Sequence, residues 1–490
     1  MMKKPEEAGL SARPSRRAIL KSGAGLSAMA PFFLSSAAYA QEAAGADAGL
    51  ASVQNAERVL LKGGVVLTLD PQIGDFETAD VMIEGGRIAA IAPEIAATDA
   101  SIALVDATNR IVIPGFIDTH HHFYQGVIRN ILTNGLLNPD YSRDVSDRLT
   151  AVYNPPDVYA GTLATALGMI ENGTTTAVDT SQVNHTPEHS DAAIAAHRES
   201  GLRTVYAFSR GAGPEARYPQ DLLRLREAYF NTDDQILKLA LAANLNAEQF
   251  GFAREAGVNT VCHGINDRNE PLLMELWRAG LLAEGDEYIH CTHLSRESWS
   301  AIRESGGRVS AAVPIEMAMG HGMPPIQDAL DNGVRPSLST DVDVTMAQDL
   351  FTVMRAAFTL QRLMVLQRIR NGEQNTPPLL TCREVLEFAT IEGARCVGME
   401  DRIGTLTPGK DADIVMLQAD RLNVWPLNNV PGTIVNLMNP SHVHTVFING
   451  RVKKWRGALA GADVARVVRL AEESRDGVVA RAGYERDLFG

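Results

Sequence analysis

Between residues 114 and 398, short runs of β-branched and apolar residues alternate with stretches of helical periodicity, and this alternation narrows the fold more than anything else in the chain. Eight strand-like runs stand at 111–118, 174–179, 203–207, 238–242, 259–263, 287–290, 308–313 and 335–340. Helical stretches at 158–172, 192–200 and 348–368 fall between or after them. Strands joined through helices pair in parallel, and eight such units close into a (β/α)8 TIM-like barrel of the α/β class. In that architecture every strand delivers its carboxyl end to one mouth. Polar residues at strand ends are therefore the first candidates for a site.

Strand patterns also flank the barrel. On the amino-terminal side, runs at 59–61, 65–69, 80–83 and 88–91 surround the hairpin signal Glu84-Gly85-Gly86-Arg87. On the carboxyl-terminal side stand Ile403-Gly404-Thr405-Leu406, Pro408-Gly409-Lys410-Asp411-Ala412-Asp413-Ile414-Val415 and a run at 443–448 before Asn449-Gly450. Neither set has enough strands to bury a core alone, so they are expected to combine in a small composite β-sandwich. The boundaries read as an amino-terminal half of the sandwich at 57–113, the barrel at 114–398, a carboxyl-terminal half of the sandwich at 399–457 and a final helix at 458–490.

The first forty residues read as a targeting segment. Ser15-Arg16-Arg17 precedes a weakly apolar stretch and Ala38-Tyr39-Ala40 before Gln41, a pattern that resembles a twin-arginine export signal at 1–40 followed by a leader at 41–56. Export to the periplasm or beyond is the expectation, with no stable membrane contact once the signal is removed; an uncleaved anchor is the other reading. A net charge of -14 argues against a nucleic-acid partner, since phosphates need Lys and Arg to displace their counterions. A small-molecule substrate is the expected partner, and a homo-oligomer is left open. The 4 cysteines show no Cys-x-x-Cys spacing, which removes a zinc knuckle or dithiol site.

The chemistry concentrates at strand ends. In Pro114-Gly115-Phe116-Ile117-Asp118-Thr119-His120-His121-His122 the period of two sends His120 and His122 to one face and His121 to the other. His263 ends the fifth run, His290 the sixth, and Asp341 follows the eighth. Three neutral imidazoles and a carboxylate, His120, His122, His263 and Asp341, converge at one mouth and suit one divalent metal ion, with zinc the default and iron or manganese also fitting.

With these residues in view, the chain resembles the amidohydrolase superfamily, in particular the branch containing cytosine deaminase, adenosylhomocysteine deaminase and the triazine hydrolases. The anchors are the Pro-Gly-Phe-Ile-Asp-Thr-His-His-His run, Asn172-Gly173-Thr174-Thr175-Thr176, Ile289-His290-Cys291-Thr292-His293-Leu294, Ser339-Thr340-Asp341 and the run from Gly404 to Asp413. The resemblance implies a mononuclear site whose ligands are His120, His122, His263 and Asp341, with Asp341 also moving the proton of an activated water. It gives His290 the role of orienting that water; without the family pattern, His290 reads equally as a core histidine.

Two departures stand out. Ring deaminases of this branch carry His-x-x-Glu at the fifth strand, where this chain has His263-Gly264-Ile265-Asn266, and an amide cannot shuttle a proton. After the seventh strand, relatives show Asn-Pro-x-Ser-Asn, where this chain has Val313-Pro314-Ile315-Glu316-Met317. Glu316 reads as a replacement carboxylate, as a substrate contact or as a solvated loop acid. Tyr124, His185, Asn266, Glu316 and His321 are the candidate substrate contacts; Asp118 and Asp179 read as hydrogen-bond partners of the site.

The expectation is a metal-dependent hydrolase that cleaves a non-peptide carbon–nitrogen bond in a small amide, cyclic amidine or aminated heterocycle. The nearest rival is displacement of chloride or alkylamine from a triazine-like ring. A rival of another class is a secreted metal- or solute-binding barrel without catalysis.

Overall fold

The computed structural model describes residues 48–97, 99–232 and 235–489. The twin-arginine signal and residues 41–47 of the leader lie outside the described residues; the rest of the leader is mostly the helix Ala48–Asn55. No described helix is long and apolar enough to cross a membrane.

The amino-terminal strands are β1 (Arg58–Val66), β2 (Phe76–Glu84), β3 (Arg87–Ala92), β4 (Ile102–Asp106) and β5 (Arg110–Pro114). The barrel strands follow as β6 (Phe116–His121), β7 (Thr174–Ser181), β8 (Arg203–Phe208), β9 (Leu237–Ala243), β10 (Thr260–Cys262), β11 (Glu287–Ile289), β12 (Arg308–Ala311) and β13 (Ser337–Leu338). The chain then returns through β14 (Ile414–Gln418), β15 (Val443–Ile448), β16 (Arg451–Trp455) and β17 (Ala458–Leu459) to a helix at Val464–Ala482.

The composite domain is one mixed, nine-stranded sheet in the order β17-β16-β15-β14-β5-β1-β2-β3, with β4 on β1. Its two halves meet where β14 runs antiparallel to β5, from Ile414 opposite Pro114 to Gln418 opposite Arg110. Val59, Leu61, Val81, Val105, Val112, Ile414, Phe447 and Val452 share one buried cluster, so both halves of the chain fill a common core.

One strand expectation changes. The run 111–118 is not a single barrel strand: Ile111, Val112 and Ile113 belong to β5 of the sheet, and the barrel begins at Phe116. The break is steric. A Cβ on Gly115 would lie 2.0 Å from Thr175 Oγ1, so only glycine lets the chain step from one sheet to the other at this point. Gly115 N–H donates to Asp413 O across the junction.

The barrel strands are parallel and ordered β6 to β13 in sequence. β7, Thr-Thr-Thr-Ala-Val-Asp-Thr-Ser, is buried at every position, as expected of a β-branched strand covered on both faces. Ile117, Val178, Val205, Ala240, Val261 and Ile289 come from six successive strands and share one cluster, which places them in the lumen, since outer faces of six strands could not meet. Ala394, Met399 and Ile403 join that cluster. Two residues beyond Val178 and Val261, on the same face by strand alternation, stand Thr180 and His263 at the mouth.

Arg203, the first residue of β8, has 0% exposure. Its guanidinium donates to Asp413 at 2.8 Å through Nε and to Asp411 at 3.0 Å through Nη2, so the Asp411-Ala412-Asp413 motif clamps the sheet to the barrel. Arg402 adds a second donor to Asp411. Breaking such a pair leaves two buried carboxylates short of their counter-charge. Arg203→Met is expected to lower stability in chemical denaturation by about 3–5 kcal/mol; a loss below about 1 kcal/mol, the scale of a surface pair, would contradict the clamp.

Candidate metal centre

Two strands hold the first two histidines. His120 Nδ1 lies 3.0 Å from Thr180 Oγ1 and His122 Nδ1 lies 3.0 Å from Thr180 O, so one residue of β7 ties the back of both rings. Their Nε2 atoms then face Asp341, with His120 Nε2 at 3.0 Å and His122 Nε2 at 3.5 Å from Oδ1. The His263 ring stands 4.9 Å from that of His120 and 5.0 Å from that of His122. Ligand atoms of His120, His122, His263 and Asp341 all lie within 4.8 Å of one another.

Asp341 arrives by backbone pairing. Its N–H donates to His120 O at 2.9 Å and its own O accepts from His122 N–H at 3.0 Å, which joins the chain after β13 to β6. His121 points to the opposite side, as the alternation predicts, and meets Thr340 Oγ1 at 2.9 Å and Asp343 at 3.7 Å. Asp118 accepts the Thr340 N–H at 3.1 Å and the Thr340 hydroxyl, fixing the residue before Asp341. Asp179 holds His197 Nε2 at 2.8 Å. His290, Cys291, His293 and Asp341 all have positive φ, at 73°, 46°, 60° and 63°. Left-handed backbone at non-glycine residues costs roughly 1–3 kcal/mol each and persists where surrounding contacts enforce it.

The electrostatics suit a cation. Burial pushes His120 and His122 down to about 3, against the pull of Asp341, and pushes His263 well below its ordinary value. Burial alone would raise Asp341, but the hydrogen bond from His120 and the neighbouring imidazoles hold it well below the usual carboxylate range. The result is neutral imidazoles around an ionised carboxylate, the protonation states that metal ligation requires. The Nε2 atom of His122 is buried without a hydrogen-bond partner, which the residues of this site would leave unsatisfied unless a cation were there. The donor set fits a divalent ion.

His290 stands beside the four with its Nε2 3.7 Å from Asp341 Oδ2. Its Nδ1 is 3.1 Å from Glu316 Oε1. Burial disfavours the charged ring, yet the Glu316 hydrogen bond and the Asp341 charge outweigh it and raise His290. His321 packs edge-on against His290 at 4.4 Å, and both its ring nitrogens are buried without partners. Burial and the His290 charge lower it to about 4, so it is a neutral ring with unspent hydrogen-bonding capacity.

The remaining sequence candidates divide. Tyr124 is 2% exposed, its ring lies 6.0 Å from that of His122, and its hydroxyl donates to Gln182. Glu316 is fully buried, so the solvated-acid reading fails. His185 and Asn266 are corrections. His185 spends Nε2 on Thr150 O and Nδ1 on the Ala212 N–H, both at 2.9 Å, leaving neither nitrogen for a ligand. Asn266 donates to Gly264 O at 3.0 Å and accepts from Arg268 N–H at 2.9 Å, so its amide shapes its own loop. Sequence reasoning missed Thr180 and Asp343. The signal for Thr180 was a polar residue at the end of the strand next to the histidine run; for Asp343, the repeat of Asp341 two residues on.

The sequence matches the model of the amidohydrolase family over residues 111–453. It is 26% identical over 444 residues to a 5'-deoxyadenosine deaminase of Methanosarcina mazei, covering 86% of this chain and 99% of the relative. It is 27% identical over 453 residues to 5-methylthioadenosine/S-adenosylhomocysteine deaminase 1 of Syntrophus aciditrophicus, covering 86% and 99%. Among solved structures, a zinc-bound adenosine deaminase from Xanthomonas campestris superposes with a TM-score of 0.75 at 23% identity, covering 86% of this chain and 98% of that one. A mutant atrazine chlorohydrolase from Arthrobacter aurescens in complex with zinc and atraton gives 0.74 at 22%, covering 85% and 100%. With the family model spanning the whole barrel and the seam of the composite sheet, the chain belongs to the amidohydrolase family.

Proposed function

We propose that this protein is a zinc-dependent hydrolase that removes an amino group from a small aminated heterocycle. One observation carries the reading: four ligand atoms lie within 4.8 Å of one another while His290 Nε2, without a hydrogen-bond partner, faces the same carboxylate. The relatives named for deaminating 5'-deoxyadenosine and methylthioadenosine point to an aminopurine or a ring of similar size.

A divalent ion held by His120, His122, His263 and Asp341 would supply a hydroxide equivalent at neutral pH by lowering the pKa of water to about 7. Asp341 sits where it can take the water's proton and return it to the leaving amine, since Oδ1 faces the histidines and Oδ2 faces His290. His290 orients the nucleophile and stabilises negative charge gathering on the attacked carbon's substituent. His321 lies against His290 with free nitrogens and supplies a substrate contact.

The committed amide of Asn266 leaves no proton carrier where ring deaminases have a glutamate. That gives weight to a second reading, displacement of chloride or alkylamine from a triazine-like ring, which resembles the activity named for the atrazine chlorohydrolase.

Purified zinc-loaded protein incubated with 5'-deoxyadenosine, other aminopurines and aminopyrimidines is expected to release ammonia, while halogenated triazines yield no halide. Halide without ammonia would transfer the assignment to the second reading, and neither product would favour a binding barrel. His290→Ala is expected to cut turnover by about 100- to 10,000-fold, the range of a lost acid–base group, with bound zinc retained by metal analysis. Unchanged turnover would remove His290 from the chemistry.

A further inference from the structure

The carboxylate that the proposed chemistry does not use is buried directly behind His290. Glu316 lies on the short helix Val313–Ala318 that follows β12 and has 0% exposure. Its Oε1 meets His290 Nδ1 at 3.1 Å and also accepts the Ala312 N–H at 2.9 Å. Its Oε2 is buried without a partner. A buried acid this close to the mouth, after a strand other than the one that the deaminase glutamate follows, calls for a physical role.

The hydrogen-bond arithmetic assigns one. An ionised carboxylate has no hydrogen to give, so with Glu316 ionised Oε1 accepts both from the Ala312 N–H and from His290, and Nδ1 carries the hydrogen. A proton on Oε2 would be a buried donor with nothing to accept it. The other ring nitrogen, Nε2, is left facing Asp341 Oδ2 at 3.7 Å. His290 starts from left-handed backbone, φ 73°, so the ring reaches this position from a constrained origin. His321 closes the adjacent side at 4.4 Å. A half-turn of the imidazole would break the Nδ1 contact and leave the carboxylate without its donor, so the contact selects one orientation of two.

We propose that Glu316 is a positioning residue for hydrolysis: by accepting the hydrogen of His290 Nδ1 it holds the imidazole with Nε2 directed at Asp341 and the reacting carbon. The proposal rests on the role given to His290 above. The hydrogen-bond partners of Glu316 are His290 Nδ1 and the Ala312 N–H, so it acts through His290, the same logic by which partners behind a reacting or ligating histidine fix its tautomer.

The test needs no turnover for its first readout. The chain has 12 histidines, few enough for a spectrum of zinc-loaded, 15N-histidine-labelled protein to be read ring by ring. The His290 signals are those that vanish in His290→Asn. In the wild type, His290 is expected to show a hydrogen-bonded Nδ1–H. Glu316→Leu is expected to lose that resonance and to lower kcat for the deaminated heterocycle by about 10- to 100-fold, the usual cost of a lost supporting partner, with KM and zinc content held. Glu316→Gln keeps a carbonyl acceptor at the same place and is expected to restore the resonance and most of kcat.

A wild-type spectrum without His290 Nδ1–H overturns the proposal, as does a zinc-loaded Glu316→Leu protein with the resonance or kcat intact. Should Glu316→Leu fail to bind zinc, the wild type and Glu316→Gln decide: the resonance in both supports the assignment, and its absence from either overturns it. If no tested heterocycle is turned over, the functional reading fails while the imidazole spectrum still reports on Glu316.

Discussion

The backbone pairing between β6 and the segment after β13 is the constraint on which the rest of the structure depends. Asp341 N–H bonds to His120 O and His122 N–H bonds to Asp341 O, so the same two hydrogen bonds that join the ends of the barrel set the carboxylate against the histidines. Barrel closure and site assembly are thus one event. The chain must enter left-handed backbone at Asp341, φ 63°, to make this turn. Asp118 grips Thr340, the preceding residue, while His121 reaches the other way to Asp343, so both flanks of the ligand are pinned. The buried charge of Asp343 is in turn satisfied by Thr165 Oγ1 at 2.7 Å and by Arg129.

Much of the fold was legible because its signals are local or periodic. β-branched runs spaced by helical stretches announced the parallel strands, and strand-end polarity announced His120, His122, His263, His290 and Asp341, which the fold brings together at one mouth. What escaped depended on distant partners. The end of β5 at Pro114 is decided by Ile414, about 300 residues along the chain, and by the missing space beside Gly115, neither visible in an apolar run. His185 looked available at a strand end until Thr150 O and the Ala212 N–H took its nitrogens. Glu316 stayed open between a replacement carboxylate, a substrate contact and a loop acid because nothing in its neighbourhood in sequence reveals His290 across the mouth.

The acids at the mouth stand elsewhere than the glutamate of the His-x-x-Glu pattern in the branch this chain resembles. Asn266 is absorbed in its own loop. Acidic character is instead divided between Asp341, which faces the ligand cluster, and Glu316, which faces only the rear of His290. A histidine between two carboxylates has one nitrogen assigned to structure and one to chemistry.

The proposed grip of four residues from the ends of β6, β10 and β13 on one divalent ion is tested most directly by anomalous diffraction at the zinc edge, from crystals of the zinc-loaded protein. One peak per chain is expected, at about 2.0–2.2 Å from a nitrogen of each of His120, His122 and His263 and from a carboxylate oxygen of Asp341. A peak elsewhere, or one that Asp341 does not reach, would contradict that arrangement.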